Sequence, residues 1–273
     1  MRKLIKFCTI ICAFGLVMPT ATASLIASDL TITGAVEFDT VNSTAPTGNA
    51  SQSADMASII GGVTTMTTVN NVTLTGANPL GGGLTNTGDG VGVNAQASST
   101  GVGLGGANGI FFDLAFSLSN SSLTDSYQVF FELAFSNFAN ADGDDAFIDA
   151  EINLFNSLLS EIFFSDLTSD SFFGDEQNGI SLTSFGATLT DNGNFLFDIT
   201  LAPGAANNFS AVVRMDGGAF VDNSAFDGRT SAYITVLAAD NLTPPSRVPE
   251  PSTLMLFAGL MVLLVVKRKV INI

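Results

Sequence analysis

Residues Gly193–Ala202 read GNFLFDITLA. Phe195, Phe197, Ile199 and Leu201 fall on one side of an extended chain; Leu196, Asp198 and Thr200 fall on the other. A period of two in aromatic and β-branched residues is the mark of a half-buried strand. Asp191-Asn192-Gly193 before it and Pro203-Gly204 after it read as turns.

The same pattern continues on both sides. GIFFDLAFSLSN (from Gly109), SYQVFFELAFSN (from Ser126), DAFIDAEINLFN (from Asp145), LLSEIFFSDLT (from Leu158), ISLTSFGATLT (from Ile180), NFSAVVRMD (from Asn208) and SAYITVLAAD (from Ser231) follow at short intervals. Regular short strands with turn signals predict an all-β domain, an antiparallel β-sandwich with jelly-roll-like character. Phenylalanine supplies the core bulk, with 20 of its 23 copies between Leu25 and Ser246. NSLLSEIFF has mixed periodicity and leaves a short helix open as an alternative.

Upstream of Gly109 the signal weakens. DLTITGAVEF (from Asp29) and VTTMTTVNNVTLTG (from Val63) alternate like strands. TNTGDGVGVNAQASSTGVGLGGANG (from Thr85) has a glycine every few residues, so residues 75–108 are expected to be flexible loops.

Charge is distributed unevenly. Of nine basic residues, only Arg214 and Arg229 lie between Leu25 and Ser246, against 24 acidic residues, a net −22. Such a surface repels phosphate backbones, so nucleic-acid partners are disfavoured. The chain has no histidine, and its two cysteines, Cys8 and Cys12, fall in the N-terminal apolar segment. Nucleophile–histidine pairs and imidazole metal sites are thereby excluded, which leaves carboxylate chemistry. The domain is expected not to be an enzyme. With no Trp and only Tyr127 and Tyr233, it has few platforms for stacking sugars. A carboxylate-based polysaccharide hydrolase remains the weakest alternative.

The densest acidic stretch is NADGDDAFIDAE, Asn140–Glu151. Read as a 12-residue calcium loop, it places Asp142, Asp144 and Glu151 at ligand positions but puts Asp145 where the sharp turn needs glycine. A looser calcium site would take Asp142, Asp144 and Asp145 from a turn with Asp149 and Glu151 from the next strand. Asp166, Asp170, Asp175 and Glu176 are weaker contributors. Beside it stands the plain reading, a solvated acidic hairpin that needs no cofactor. If calcium binds, the domain is a calcium-dependent adhesin or binding module.

The two ends read as addresses. Arg2, Lys3 and Lys6, the apolar run Phe7–Met18, and Ala21-Thr22-Ala23 have the parts of a signal peptide spanning residues 1–23. It would form a short signal helix cleaved by signal peptidase after Ala23, with Ala21 and Ala23 filling the small-residue positions. Residues 24–246 then form the domain and residues 247–273 a separate tail. In the tail, Ser252–Val266 is 15 residues without charge. As a helix it spans about 23 Å, a marginal single transmembrane helix that Lys267, Arg268 and Lys269 would hold on the cytoplasmic side. Pro249-Glu250-Pro251 stands just before it as a rigid extended strip.

Pro-Glu-Pro, an apolar helix and a basic cluster, in that order, resemble the PEP-CTERM sorting signal of Gram-negative bacteria. The resemblance implies processing by an exosortase near Pro249-Glu250-Pro251, a transient stay in the inner membrane, and release to the cell surface or extracellular matrix among extracellular polysaccharide. Val270–Ile273 extends past the basic cluster and departs slightly from the pattern. DGDDAFIDAEINLF and FFGDEQNGISLTSFGATLTDNG also resemble the surface β domains that precede such signals, which implies a structural or adhesive role and no defined activity.

Overall fold

The computed structural model describes residues 23–243. The expectations for the signal helix, Ala21, Pro249-Glu250-Pro251, the apolar span 252–266 and Lys267–Lys269 lie outside the described residues.

The described residues form antiparallel strands and no helix. In chain order these are β1 (Leu30–Phe38), β2 (Thr47–Gly48), β3 (Ala50–Ile60), β4 (Val63–Asn70), β5 (Thr73–Thr75), β6 (Leu80–Gly83), β7 (Gly90–Ser99) and β8 (Gly105–Asn120). There follow β9 (Tyr127–Asp142), β10 (Ala146–Phe155), β11 (Glu161–Asp170), β12 (Glu176–Gln177), β13 (Ile180–Ser181), β14 (Leu189–Leu201), β15 (Ala206–Ala219) and β16 (Ala225–Asn241). One sheet runs β13-β12-β11-β10-β15-β8-β1-β6, with β2 added on β8; the other runs β14-β9-β16-β7-β3-β4-β5. The two sheets pack as a β-sandwich. Consecutive strands alternate between them from β7 to β10 and again from β14 to β16.

Alternation decides which side of each strand is inside. In β10, Ala146, Ile148, Ala150, Ile152 and Leu154 are buried, and the residues between them are half-exposed on the outer face. Phenylalanine fills the layer between the sheets. Phe116 stacks on Phe209 with ring centroids 4.5 Å apart, and Phe131 meets Phe209 edge-on at 4.9 Å. Such pairs add roughly 0.5–1.5 kcal/mol each beyond their burial. Polar staples also cross the interior. Asn137 on β9 donates through Nδ2 to the Ser165 carbonyl and hydroxyl on β11, both at 3.0 Å.

The structure corrects three local expectations and decides a fourth in favour of the strand. Residues 75–108 are not one flexible loop: they contain β6 and β7, and β7 lies inside its sheet between β16 and β3. Its glycines serve close packing, since a Cβ on Gly92 would stand 2.3 Å from Tyr233 Cδ2. Asp191-Asn192-Gly193 is not a turn but lies within β14, paired with Asn137, Ser136 and Phe135. Pro203-Gly204 does turn the chain between β14 and β15. Of ISLTSFGATLT only Ile180–Ser181 and the final Leu189-Thr190 are extended and paired. Phe185 in its middle is 64% exposed, so a long strand there would have had no core to cover it. Finally, NSLLSEIFF is a turn followed by β11, with no helix.

Candidate functional site

The connection between β9 and β10 carries the acidic stretch. It is not the hairpin expected from sequence, because β9 and β10 belong to opposite sheets and the chain crosses between them here. Its turn, Gly143–Asp145, is sharp because Gly143 adopts φ 93°. A Cβ at Gly143 would meet the Asn223 carbonyl at 2.6 Å. Asp142 and Asp144 are exposed to solvent. The Gly143 N–H donates to Asp142 Oδ1 at 3.0 Å, and the Asp145 N–H donates to Ser224 Oγ at 3.1 Å. Asp149 lies four residues further along an extended strand, about 13 Å away. The five predicted calcium ligands therefore divide into a turn set (Asp142, Asp144, Asp145) and a strand set (Asp149, Glu151). Among the described residues, no group of three or more His, Cys, Asp or Glu is placed to hold a metal ion. The five residues as arranged do not fit a single calcium site.

Asp149 and Glu151 belong to a different constellation, on the outer face of the β11-β10-β15 part of the sheet. Register sets it row by row: Thr168, Asp149 and Asp216 stand side by side, and Asp166, Glu151 and Arg214 form the next row. Arg214 Nη2 is 3.4 Å from Asp149 Oδ2, and its Nε pairs with a Glu151 carboxylate oxygen. The other Glu151 oxygen accepts from Asn153 Nδ2, and Thr168 Oγ1 donates to Asp149 Oδ1 at 3.1 Å. One guanidinium thus faces four carboxylates.

The electrostatics follow from that imbalance. Burial, the charge of Asp149 and a hydrogen bond with it push the Asp166 carboxyl up to about 7, while Arg214 pulls the other way. Burial and the neighbouring Asp216 charge raise Asp149, against the opposing pull of Arg214. Burial likewise raises Asp216. Asp166 therefore keeps its proton to higher pH than an ordinary carboxylate does. Two strands away on the same face, burial and the charges of Asp39 and Glu37 raise Asp113. The face is acidic from β11 to β1.

The remaining acidic candidates are structural. Asp170 Oδ1 accepts from the N–H groups of Phe172 and Phe173, each at 2.7 Å. Asp175 is buried and accepts from the Asp170, Gly186 and Ala187 N–H groups. Burial would raise its carboxyl, but hydrogen bonds from the Ser184 side chain and these backbone groups outweigh that and hold it below the usual range. Glu176 is half-exposed in β12 and pairs with Thr168 and Ser181 in register. Arg229 pairs with Asp227 at 2.8 Å and lies over the Phe138 ring at 5.3 Å.

A cleft of about 360 Å³ opens at one end of the sandwich, walled by Ile162, Phe197, Ile199 and Phe209, with Leu158 at its rim. Asp198 is the single acid lining it and accepts from Gln128 Nε2 at 2.8 Å. Glycoside hydrolysis takes two carboxyl groups flanking the bond, and this cleft brings only one. No helix among the described residues is long and apolar enough to cross a membrane.

Asp216 and Arg214 escaped the sequence reading of the site. Their signal is the alternation in VVRMD, which puts both on one face. Their meeting with Asp149 and Glu151 depends on the pairing of β15 with β10, some 60 residues apart.

No family model and no curated protein matches this chain. Among solved structures, "Structure of infectious bursal disease virus Gx strain" aligns at 12% identity over 86% of this chain and 71% of that one, with a TM-score of 0.15. The infectious bursal disease virus VP2 subviral particle aligns at 13% identity over 88% and 73%, also at 0.15.

Proposed function

We propose that this chain is an exported surface or extracellular-matrix protein whose β-sandwich has a structural or adhesive role and whose C-terminal tail is a sorting signal. The observation that carries the reading is the order of parts in Arg247–Lys269: Pro249-Glu250-Pro251, then 15 uncharged residues, then Lys267-Arg268-Lys269. Signal peptidase acts after Ala23, and the tail holds the domain at the inner membrane. An exosortase then cleaves near the Pro-Glu-Pro strip, and the domain passes to the cell surface among extracellular polysaccharide. We read the alternation of consecutive strands between the sheets as jelly-roll-like.

The domain's chemistry supports a non-enzymatic role. It has no histidine and no cysteine. Its carboxylate cluster lies on an open sheet face around Arg214, away from the cleft. This reading calls for no metal.

Intact-mass measurement of the surface-released protein tests it. The expected species begins at Ser24 and ends near Pro249-Glu250-Pro251. A released species that still contains Ser252–Val266 overturns the sorting assignment.

A further inference from the structure

Three of the four sheet edges among the described residues end in very short strands: two residues in β13, four in β6 and three in β5. The fourth edge is β14, 13 residues long and bonded to β9 on one side only. A long edge presents a row of unpaired N–H and C=O groups.

Register identifies those groups. The Leu242 N–H donates to the Ser126 carbonyl at 2.8 Å, next to the Asn241–Tyr127 pair. Even-numbered residues of β9 therefore direct their backbone toward β16, and odd-numbered ones toward β14. Phe195 and Phe197 stand opposite Leu133 and Phe131, so their backbone groups are used within the sheet. Asn192, Asn194, Leu196, Asp198 and Thr200 turn theirs outward. Strand edges are commonly protected by Lys, Pro or a bulge. β14 has no Lys and no Pro, and its pairing with β9 runs without a register shift.

We propose that a second copy of this chain pairs antiparallel with β14 about a two-fold axis through Phe195, joining two seven-stranded sheets into one. The strand is self-complementary in this register. Phe195 meets its own counterpart, Phe197 lies opposite Gly193, and Leu196 lies opposite Asn194. Asp198 lies opposite Asn192, and Thr200 opposite Thr190. No Asp faces an Asp, so the like-charge penalty across paired strands is avoided in spite of the domain's net −22. Gly193 leaves space for the facing Phe197 ring.

The surroundings fit a buried contact. Leu196 is 65% exposed on the outer face of β14. The connection from β11 to β14 touches this strand through Asn178 Nδ2, which donates to Asp191 Oδ2 at 3.2 Å. That connection leaves Phe172, Phe173, Ile180 and Phe185 exposed. An isologous pairing presents the same apolar surface from both partners.

Disulfide trapping tests the proposal in the full chain with Cys8 and Cys12 replaced by serine. Asn194→Cys and Leu196→Cys variants are expressed separately and together, then oxidised. Facing hydrogen-bonded residues lie about 5.5 Å apart at Cα, within disulfide range. A covalent dimer is expected from co-expression and from neither variant alone. Its absence on co-expression, an equal band from one variant alone, or trapping of a different protein overturns the proposal. A second measurement uses Leu196→Pro, which removes an outward N–H and no bond to β9. It is expected to keep the thermal unfolding transition and to sediment in detergent as a monomer where the parent is a dimer. A Leu196→Pro chain that stays dimeric also overturns it.

Discussion

Asp166 is the residue at which the outer acidic face responds to pH. Its folded-state pKa is about 7 against an ordinary value of 3.8. Between those limits the folded chain holds a proton that the unfolded chain releases. Its contribution to stability is therefore full below about pH 4 and is lost as pH rises through about 7. Asp149 and Asp216, both raised, act in the same direction. Asp166→Asn mimics the protonated acid and is expected to flatten this dependence. At pH 8 it should exceed the parent by about 1–2 kcal/mol, after allowance for solvent screening. Urea midpoints at pH 5 and pH 8 measure this, and an unchanged pH slope would place the retained proton on another group. At this scale the sequence was half legible. DAE puts Asp149 and Glu151 on one face, and VVRMD does the same for Arg214 and Asp216. That these faces join, and that Asp142, Asp144 and Asp145 stay apart from them, is a matter of strand pairing that local spacing does not encode.

Among the elements, β7 shows how glycine misleads. GDGVGV reads as a loop because glycine is locally permissive, yet here it lets two strands and a Tyr ring approach. Tyr233 Oη donates to the Gly90 carbonyl at 3.0 Å, and its ring lies against Gly92. Gly92→Val raises local β-propensity and is nevertheless expected to destabilise the domain by about 1–3 kcal/mol through overpacking. A lowered melting temperature checks this; an unchanged or raised one would mean that the backbone there yields. β14 shows the opposite error. Asp191-Asn192-Gly193 has turn chemistry, but Asp191 Oδ2 is held by Ser165 Oγ at 2.8 Å and by Asn178, and pairing with β9 continues through all three residues. The strand's second half was plain in FLFDITL: Phe195, Phe197 and Ile199 are half-buried and face inward, while Leu196, Asp198 and Thr200 are exposed. An edge strand buries its inner face only in part, which is why its alternation survives so clearly in sequence.

For the whole molecule, alternation in the strands from Gly109 onward was enough to read an all-β, two-layer antiparallel architecture. Their order in the sheets was not readable, because β10 lies beside β15 and β16 beside β7 through connections of very different length. The domain holds together by a Phe-rich layer and a few polar staples, without cysteine. Its acidic exterior is balanced at only two internal cations, both of which pair with its own carboxylates. On the proposed function, such a body is displayed at a surface and the tail sets its destination. Fractionation of cells that produce the Pro249-Glu250-Pro251→Ala-Ala-Ala variant tests this account most directly. The account predicts a variant retained in the inner membrane with its tail uncut while the parent reaches the surface. Arrival of the variant at the surface, cleaved as the parent is, would contradict it.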